Sequence, residues 1–190
     1  MQNPVSSGPG IKKIAVIGAG RTGRRFALVC AAAGFDVVLE DVMPANLRRA
    51  QDEYFSLEVE AVGTLSVAST VEDAVARADL AIDFVPDELE SKLEIFSLLD
   101  RMAPPRCVFL TPTEVLSITD LASCVYRPER CFAVRGDLAR EGKLRLIHPE
   151  GFLGEVFLQV ERFLQALGRD VVVEADPDAP ILMKNLVKTG

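Results

Sequence analysis

The segment Lys12 to Gly23 reads KKIAVIGAGRTG and places Gly18-x-Gly20-x-x-Gly23 between a buried-strand pattern and a helical one. In that context the three glycines have separate tasks: Gly18 permits a tight turn, Gly20 lets backbone approach a pyrophosphate, and Gly23 lets the helix lie close to the strand. Ala19, Arg21 and Thr22 complete the loop, and the free N–H groups at the start of the helix face the phosphates. Asp41 follows the second apolar run about 18 residues past Gly23, close to the ~20 at which a carboxylate meets the adenosine ribose. A carboxylate there accepts from ribose hydroxyls and repels a 2′-phosphate, so NAD is expected over NADP. Glu40 competes for this role, because alternate strand residues face opposite sides and only one meets the ribose. Arg48 and Arg49 are the cations able to serve a 2′-phosphate, but their helical pattern reads as solvated surface.

Proton-transfer candidates are few. His148 is the only histidine; it follows an apolar run ending at Ile147 and precedes Pro149, so a loop position near the cofactor edge is expected. Its ordinary pKa suits a general base, although a loop histidine with no carboxylate to orient it is more often solvent-facing. Asp137 is a weaker candidate, since an exposed carboxylate is a poor base near neutrality. Cys30, Cys107, Cys124 and Cys131 show no CxxC spacing, and three sit in apolar runs, so buried thiols, no metal and a reduced, cytoplasmic setting are expected.

These residues need a scaffold, and short apolar runs rich in Val and Ile alternate with segments of helical period, the form of repeated βαβ units. Strands are expected at Lys13–Ile17, Val37–Glu40, Thr64–Val67, Leu80–Phe84, Cys107–Leu110, Cys131–Val134, Lys143–Ile147 and Asp170–Glu174. Helices are expected at Thr22–Ala33, Ala45–Val62, Val71–Ala76, Glu88–Met102 and Gly151–Leu167. Gly34 and Gly168 sit where helices end in a left-handed residue, Ser69 with Glu72 makes a capping box, and Pro104-Pro105 stops the fourth helix. The fold class is therefore α/β, a doubly wound, mostly parallel sheet of the Rossmann type. The expected division is a flexible leader over 1–10, a dinucleotide-binding domain over 11–178 and a short helical segment over 179–190.

The 190 residues suit one generous domain and are tight for two. With 49% hydrophobic and 26% charged residues a large core is expected and global disorder excluded. The net charge of −7 disfavours nucleic acid or an anionic membrane as partner. The longest uncharged apolar run, Phe26 to Phe35, is about half of what a bilayer helix requires.

Beyond the glycine loop, the chain resembles the NAD-binding domain of the 3-hydroxyacyl-CoA dehydrogenase family. The resemblance rests on Ala78–Lys92 (ADLAIDFVPDELESK), Leu116–Thr119, Arg127–Ala133 and Glu161–Val173. It implies that Asp87 and Lys92 lie beside the nicotinamide ribose; an exposed Lys92–Glu88 pair is the alternative. The family's place is fatty acid metabolism, and its chemistry is hydride transfer from the 3-hydroxyl carbon of an acyl-CoA, with a histidine base held by a glutamate. Matching the segments puts Arg135 at the histidine and Leu146 at the glutamate; a one-residue shift brings in Gly136 or Arg145. None accepts a proton or orients a base. The family's Ser-Asn-Thr-Ser run is here Thr111-Pro112-Thr113-Glu114, and its helical C-terminal domain has no counterpart beyond Ile181–Val187.

The expected function is NAD(H) binding without acyl-CoA dehydrogenase activity by this chain alone. An active NAD-dependent oxidoreductase, completed by self-association or a partner chain, is the alternative; a scaffold with an unused crevice is a third reading. An uncovered apolar patch around Phe152, Leu153, Phe157 and Ile181–Val187 is expected to favour a homo-oligomer or a dedicated partner.

Overall fold

The computed structural model describes residues 10–57, 63–149 and 154–177. Eight strands form one sheet in the order β3-β2-β1-β4-β5-β6-β7-β8: β1 Lys13–Ile17, β2 Asp36–Glu40, β3 Thr64–Ala68, β4 Leu80–Asp83, β5 Val108–Pro112, β6 Cys131–Arg135, β7 Gly142–His148 and β8 Arg169–Ala175. All neighbours run parallel except β6 and β7, which are antiparallel. The crossover helices are α1 Arg21–Ala32, α2 Pro44–Phe55, α3 Val71–Val75, α4 Leu89–Met102, α5 Ile118–Ala122 and α6 Glu155–Ala166. The expected doubly wound, mostly parallel α/β sheet is the one observed.

The alternation of side chains along each strand splits the core in two. Ile14, Val16, Leu39, Ile82, Leu110 and Val134 face α1, α2 and α6. Ala15, Ala81, Phe109, Ala133 and Ile147 face α3, α4 and α5. In α1 the buried positions Gly23, Phe26, Ala27, Cys30 and Ala31 recur at helical spacing and hold the helix down on the sheet.

Gly34 and Gly168 have φ of 97° and 75°, the left-handed conformation expected after α1 and α6. Helix α4 stops at Met102 as Ala103 turns extended ahead of Pro104. The cap of α3 is displaced by one residue from the expected Ser69/Glu72: Thr70 accepts from the amide of Asp73 and donates to its carboxylate. Helix α2 ends at Phe55, and the Ser56 amide and hydroxyl both bond the Asp52 carbonyl at its end; the expected continuation through 58–62 lies outside the described residues. Helix α6 begins at Glu155, and the expected start over 151–153 also lies outside them, as do most of the leader and residues 178–190. The one-turn α5 and a 3-10 turn at Pro128–Arg130 have no periodicity to betray them in sequence. Phe157 is buried in the core against Phe132, not part of an apolar surface; Phe152, Leu153 and Ile181–Val187 are outside the described residues.

Candidate functional site

The turn from β1 to α1 crosses the carboxyl edge of the sheet, where ligands of open α/β sheets bind. A Cβ on Gly23 would stand 1.9 Å from the Gly18 carbonyl oxygen, so close contact of helix and loop demands glycine there. Gly20 is different. Its φ of −58° suits any residue, and a Cβ on it would meet nothing within 4 Å. Neither backbone conformation nor a protein neighbour requires a glycine at position 20, whereas a phosphate approaching the backbone does. No side chain caps α1 and no acidic residue occupies its first turn, leaving its N–H groups open to an anion. The loop thus fits a dinucleotide pyrophosphate.

Asp41 braces this loop from behind. Its Oδ2 accepts from the Ala19 amide at 2.7 Å and from Asn46 Nδ2 at 3.2 Å, and its Oδ1 accepts from the Met43 amide at 2.7 Å. A carboxylate has about four acceptor directions, so little capacity remains for a ribose. Its neighbour Glu40 is 5% exposed; burial, then the nearby Asp41 charge, raises its carboxyl. Arg48 and Arg49 are exposed, as expected.

In front of the loop a cleft of about 710 Å³ runs between the start of α1 and residues 136–140, within the usual range for small-molecule sites. Gly20, Arg21, Thr22, Gly23, Asp87 and Lys92 all line it; Gly18, Ala19 and Asp41 do not. Lys92 is not the exposed partner of Glu88. Its side chain is 1% exposed, and Nζ donates to Asp83 Oδ1 at 2.7 Å and to the Pro112 carbonyl at 2.9 Å. Burial raises the Asp83 carboxyl against the pull of Lys92 and Thr111. The ammonium is thereby fixed between the ends of β4 and β5 with one donor left. Asp83 was readable as a charge closing a buried strand, yet only packing shows its partner. Asp87 Oδ2 accepts from the Glu114 amide at 3.0 Å, and Glu114 Oε1 accepts from the Gly136 amide at 3.3 Å. These bonds tie the β4, β5 and β6 ends into one rim.

The register between β6 and β7 positions three of the expected residues. Val134 pairs with Leu146 and Arg135 with Arg145, so Arg135 and Leu146 point to opposite faces, and the residue across from Arg135 is Arg145. Arg145 is bound to Glu174, whose carboxyl it lowers. Because β7 is antiparallel, its last residue His148 lies at the opposite edge of the sheet from the cleft. His148 is also 5% exposed rather than in a solvent-facing loop; its Nδ1 donates to the Pro149 carbonyl at 2.8 Å, and its ring packs edge-on against Phe157. Asp137 does line the cleft, where it pairs with Arg140 at 3.5 Å.

Among the described residues no group of three metal-ligating side chains occurs, and no helix is long and apolar enough to cross a membrane. Cys30, Cys107 and Cys131 are buried free thiols and Cys124 is exposed; burial pushes Cys107 up to about 12.

Sheet order, glycine loop and cleft define a dinucleotide-binding domain of the Rossmann type. Residues 13–135 match the family model described as 3-hydroxyacyl-CoA dehydrogenase, NAD binding domain, and the chain belongs to that family; its cofactor is NAD. It is 32% identical to a 3-hydroxybutyryl-CoA dehydrogenase of Bradyrhizobium diazoefficiens, over 93% of this chain and 66% of that protein. A probable 3-hydroxybutyryl-CoA dehydrogenase of Bacillus subtilis is 34% identical over 63% of this chain and 46% of its own length. The chain therefore spans about half to two thirds of these relatives. The solved 3-hydroxyacyl-CoA dehydrogenase of Archaeoglobus fulgidus superposes with a TM-score of 0.74 at 25% identity, over 92% of this chain and 60% of that one.

Proposed function

We propose that this chain binds NAD(H) in the cleft and does not carry out acyl-CoA dehydrogenation with its own residues. One observation carries the reading: the position expected to hold a histidine base carries Arg135, whose cross-strand neighbour is Arg145. An arginine stays protonated at any working pH and takes no proton. The lone histidine faces the wrong edge of the sheet. The nicotinamide, when bound, supplies hydride chemistry. This chain's part is to hold the pyrophosphate on Gly20 and the α1 amides, with Asp41 bracing the loop behind them, and to aim Asp87 and the fixed Lys92 at the nicotinamide ribose.

Calorimetric titration with NADH and NADPH, followed by an acetoacetyl-CoA turnover assay on the same sample, tests both halves. Tight NADH binding with no turnover is expected. Turnover within a hundredfold of the ~10 per second typical of enzymes overturns the inactive reading.

A second reading is favoured by Glu114, a carboxylate on the cleft where a hydroxyl is expected. Under it the chain is an NAD-dependent oxidoreductase of altered substrate, completed by self-association or a partner chain in a reducing, cytoplasmic setting. Light scattering over a hundredfold dilution addresses the assembly: a constant mass of 20.7 kDa excludes the homo-oligomer.

A further inference from the structure

Six of the fifteen arginines on this acidic chain lie within ion-pair distance of a carboxylate among the described residues. Arg24 bonds Glu53, Arg106 Asp79, Arg127 Asp100 and Arg145 Glu174. Arg21 and Arg25, flanking Arg24 on α1, have no carboxylate within ion-pair distance among the described residues, and both line the cleft. At i and i+4 they share one side of the helix, about 6 Å apart along its axis. Arg21 opens the helix beside Gly20, within the region a pyrophosphate occupies. Arg25 lies a full turn deeper, past the N–H groups that serve phosphate.

Across the cleft stands Arg140, whose contact with Asp137 is long and well exposed and therefore weak. The carboxylates on this cleft are already engaged: Asp87 with the Glu114 amide, Glu114 with the Gly136 amide, Asp137 with Arg140 and the Ala139 amide. Between the two walls lie Phe84 and Val85, an apolar bed for a ring or short chain. Two cationic forks thus line a cleft with apolar walls, and the protein offers Arg25 no counter-charge within ion-pair distance among the described residues.

We propose that Arg25, assisted by Arg140, receives an anionic group of the second ligand, and that this group is a carboxylate: the substrate class is a small keto or hydroxy acid that carries its own charge. A guanidinium matches a carboxylate through two parallel N–H···O bonds, which a point charge does not reproduce. The inference rests on the reading that the cleft holds the nicotinamide end of NAD(H), and it names the ligand expected beside it.

The test uses acetoacetate, its uncharged methyl ester and coenzyme A as probes, titrated calorimetrically into the protein with and without saturating NADH. Acetoacetate binds the NADH complex and the ester binds at least tenfold more weakly. Arg25→Gln weakens acetoacetate at least tenfold while NADH affinity stays within twofold, and Arg25→Lys falls between. Circular dichroism confirms that both variants fold. Equal binding of acid and ester, or an unchanged Arg25→Gln, overturns the proposal. Equal losses of NADH and acetoacetate in Arg25→Gln assign Arg25 to the cofactor and overturn it too. Displacement of acetoacetate by coenzyme A at equal concentration assigns the site to a phosphate instead, which also overturns it. Arg25-dependent acetoacetate binding in a protein that binds no NADH supports the carboxylate site while overturning the cofactor reading.

Discussion

Lys92 reaches back from the first turn of α4 to Asp83 at the end of β4, Nζ to Oδ1 at 2.7 Å, with both side chains closed to solvent. Removing one member of such a pair leaves an uncompensated buried charge. Asp83→Asn is expected to destabilise by about 3–5 kcal/mol in urea unfolding. In Lys92→Met the surviving carboxyl has an escape, because burial already raises its pKa and protonation removes the charge. An acid whose folded pKa is raised contributes stability below its unfolded pKa and loses it as pH rises through the folded value. Lys92→Met is therefore expected to lose more stability at pH 8 than near pH 4; a flat difference contradicts the assignment.

Gly20 and Gly23 separate binding from folding. Gly20→Ala places a methyl in open space at ordinary backbone angles, so thermal unfolding is expected to stay near the parent while NADH affinity falls at least tenfold. Gly23→Ala drives a Cβ to 1.9 Å from the Gly18 carbonyl, and is expected to lose several kcal/mol of stability as an overpacked contact. An unstable Gly20→Ala protein, or one with unaltered NADH binding, removes the argument that position 20 is kept clear for phosphate.

Asp41 braces the loop, and under the proposed reading its charge opposes a 2′-phosphate. Asp41→Ala deletes an acceptor of the Ala19 amide, a bond to a charged group worth about 1.5–3 kcal/mol. NADH affinity is expected to fall by tenfold or more, and the preference for NADH over NADPH to narrow. Equal affinity of the parent protein for both dinucleotides withdraws the selective role.

Glu40 is buried beside Asp41, and its carboxyl is raised by burial and by that neighbouring charge. The sign is that of any acid with a raised folded pKa: its contribution is full below the unfolded value of about 4.5 and is lost as pH rises through the folded one. Glu40→Gln is therefore expected to gain stability relative to the parent as pH climbs from 4.5 to 7, measured by denaturant midpoints. A loss of stability by Glu40→Gln relative to the parent over this interval reverses the assignment.

Local sequence carried the fold a long way. Strand β1 was readable to the residue, because a buried parallel strand is an uninterrupted apolar run; β2 to β8 were readable to within a residue or so at their ends. The glycine loop was equally legible, since its chemistry is local. Tertiary structure decided what local patterns do not encode. The antiparallel turn of β7 carries His148 to the far edge and sets Arg135 against Arg145, a consequence of register between strands and not of spacing along the chain. Asp83 and Lys92, nine residues apart, became one buried unit only when α4 closed over β4, because burial removes the water that would otherwise solvate each charge separately. Arg24 and Arg25 are adjacent and alike in sequence, yet one faces Glu53 and the other the cleft. That division comes from the 100° step between successive helix positions and from where α2 packs.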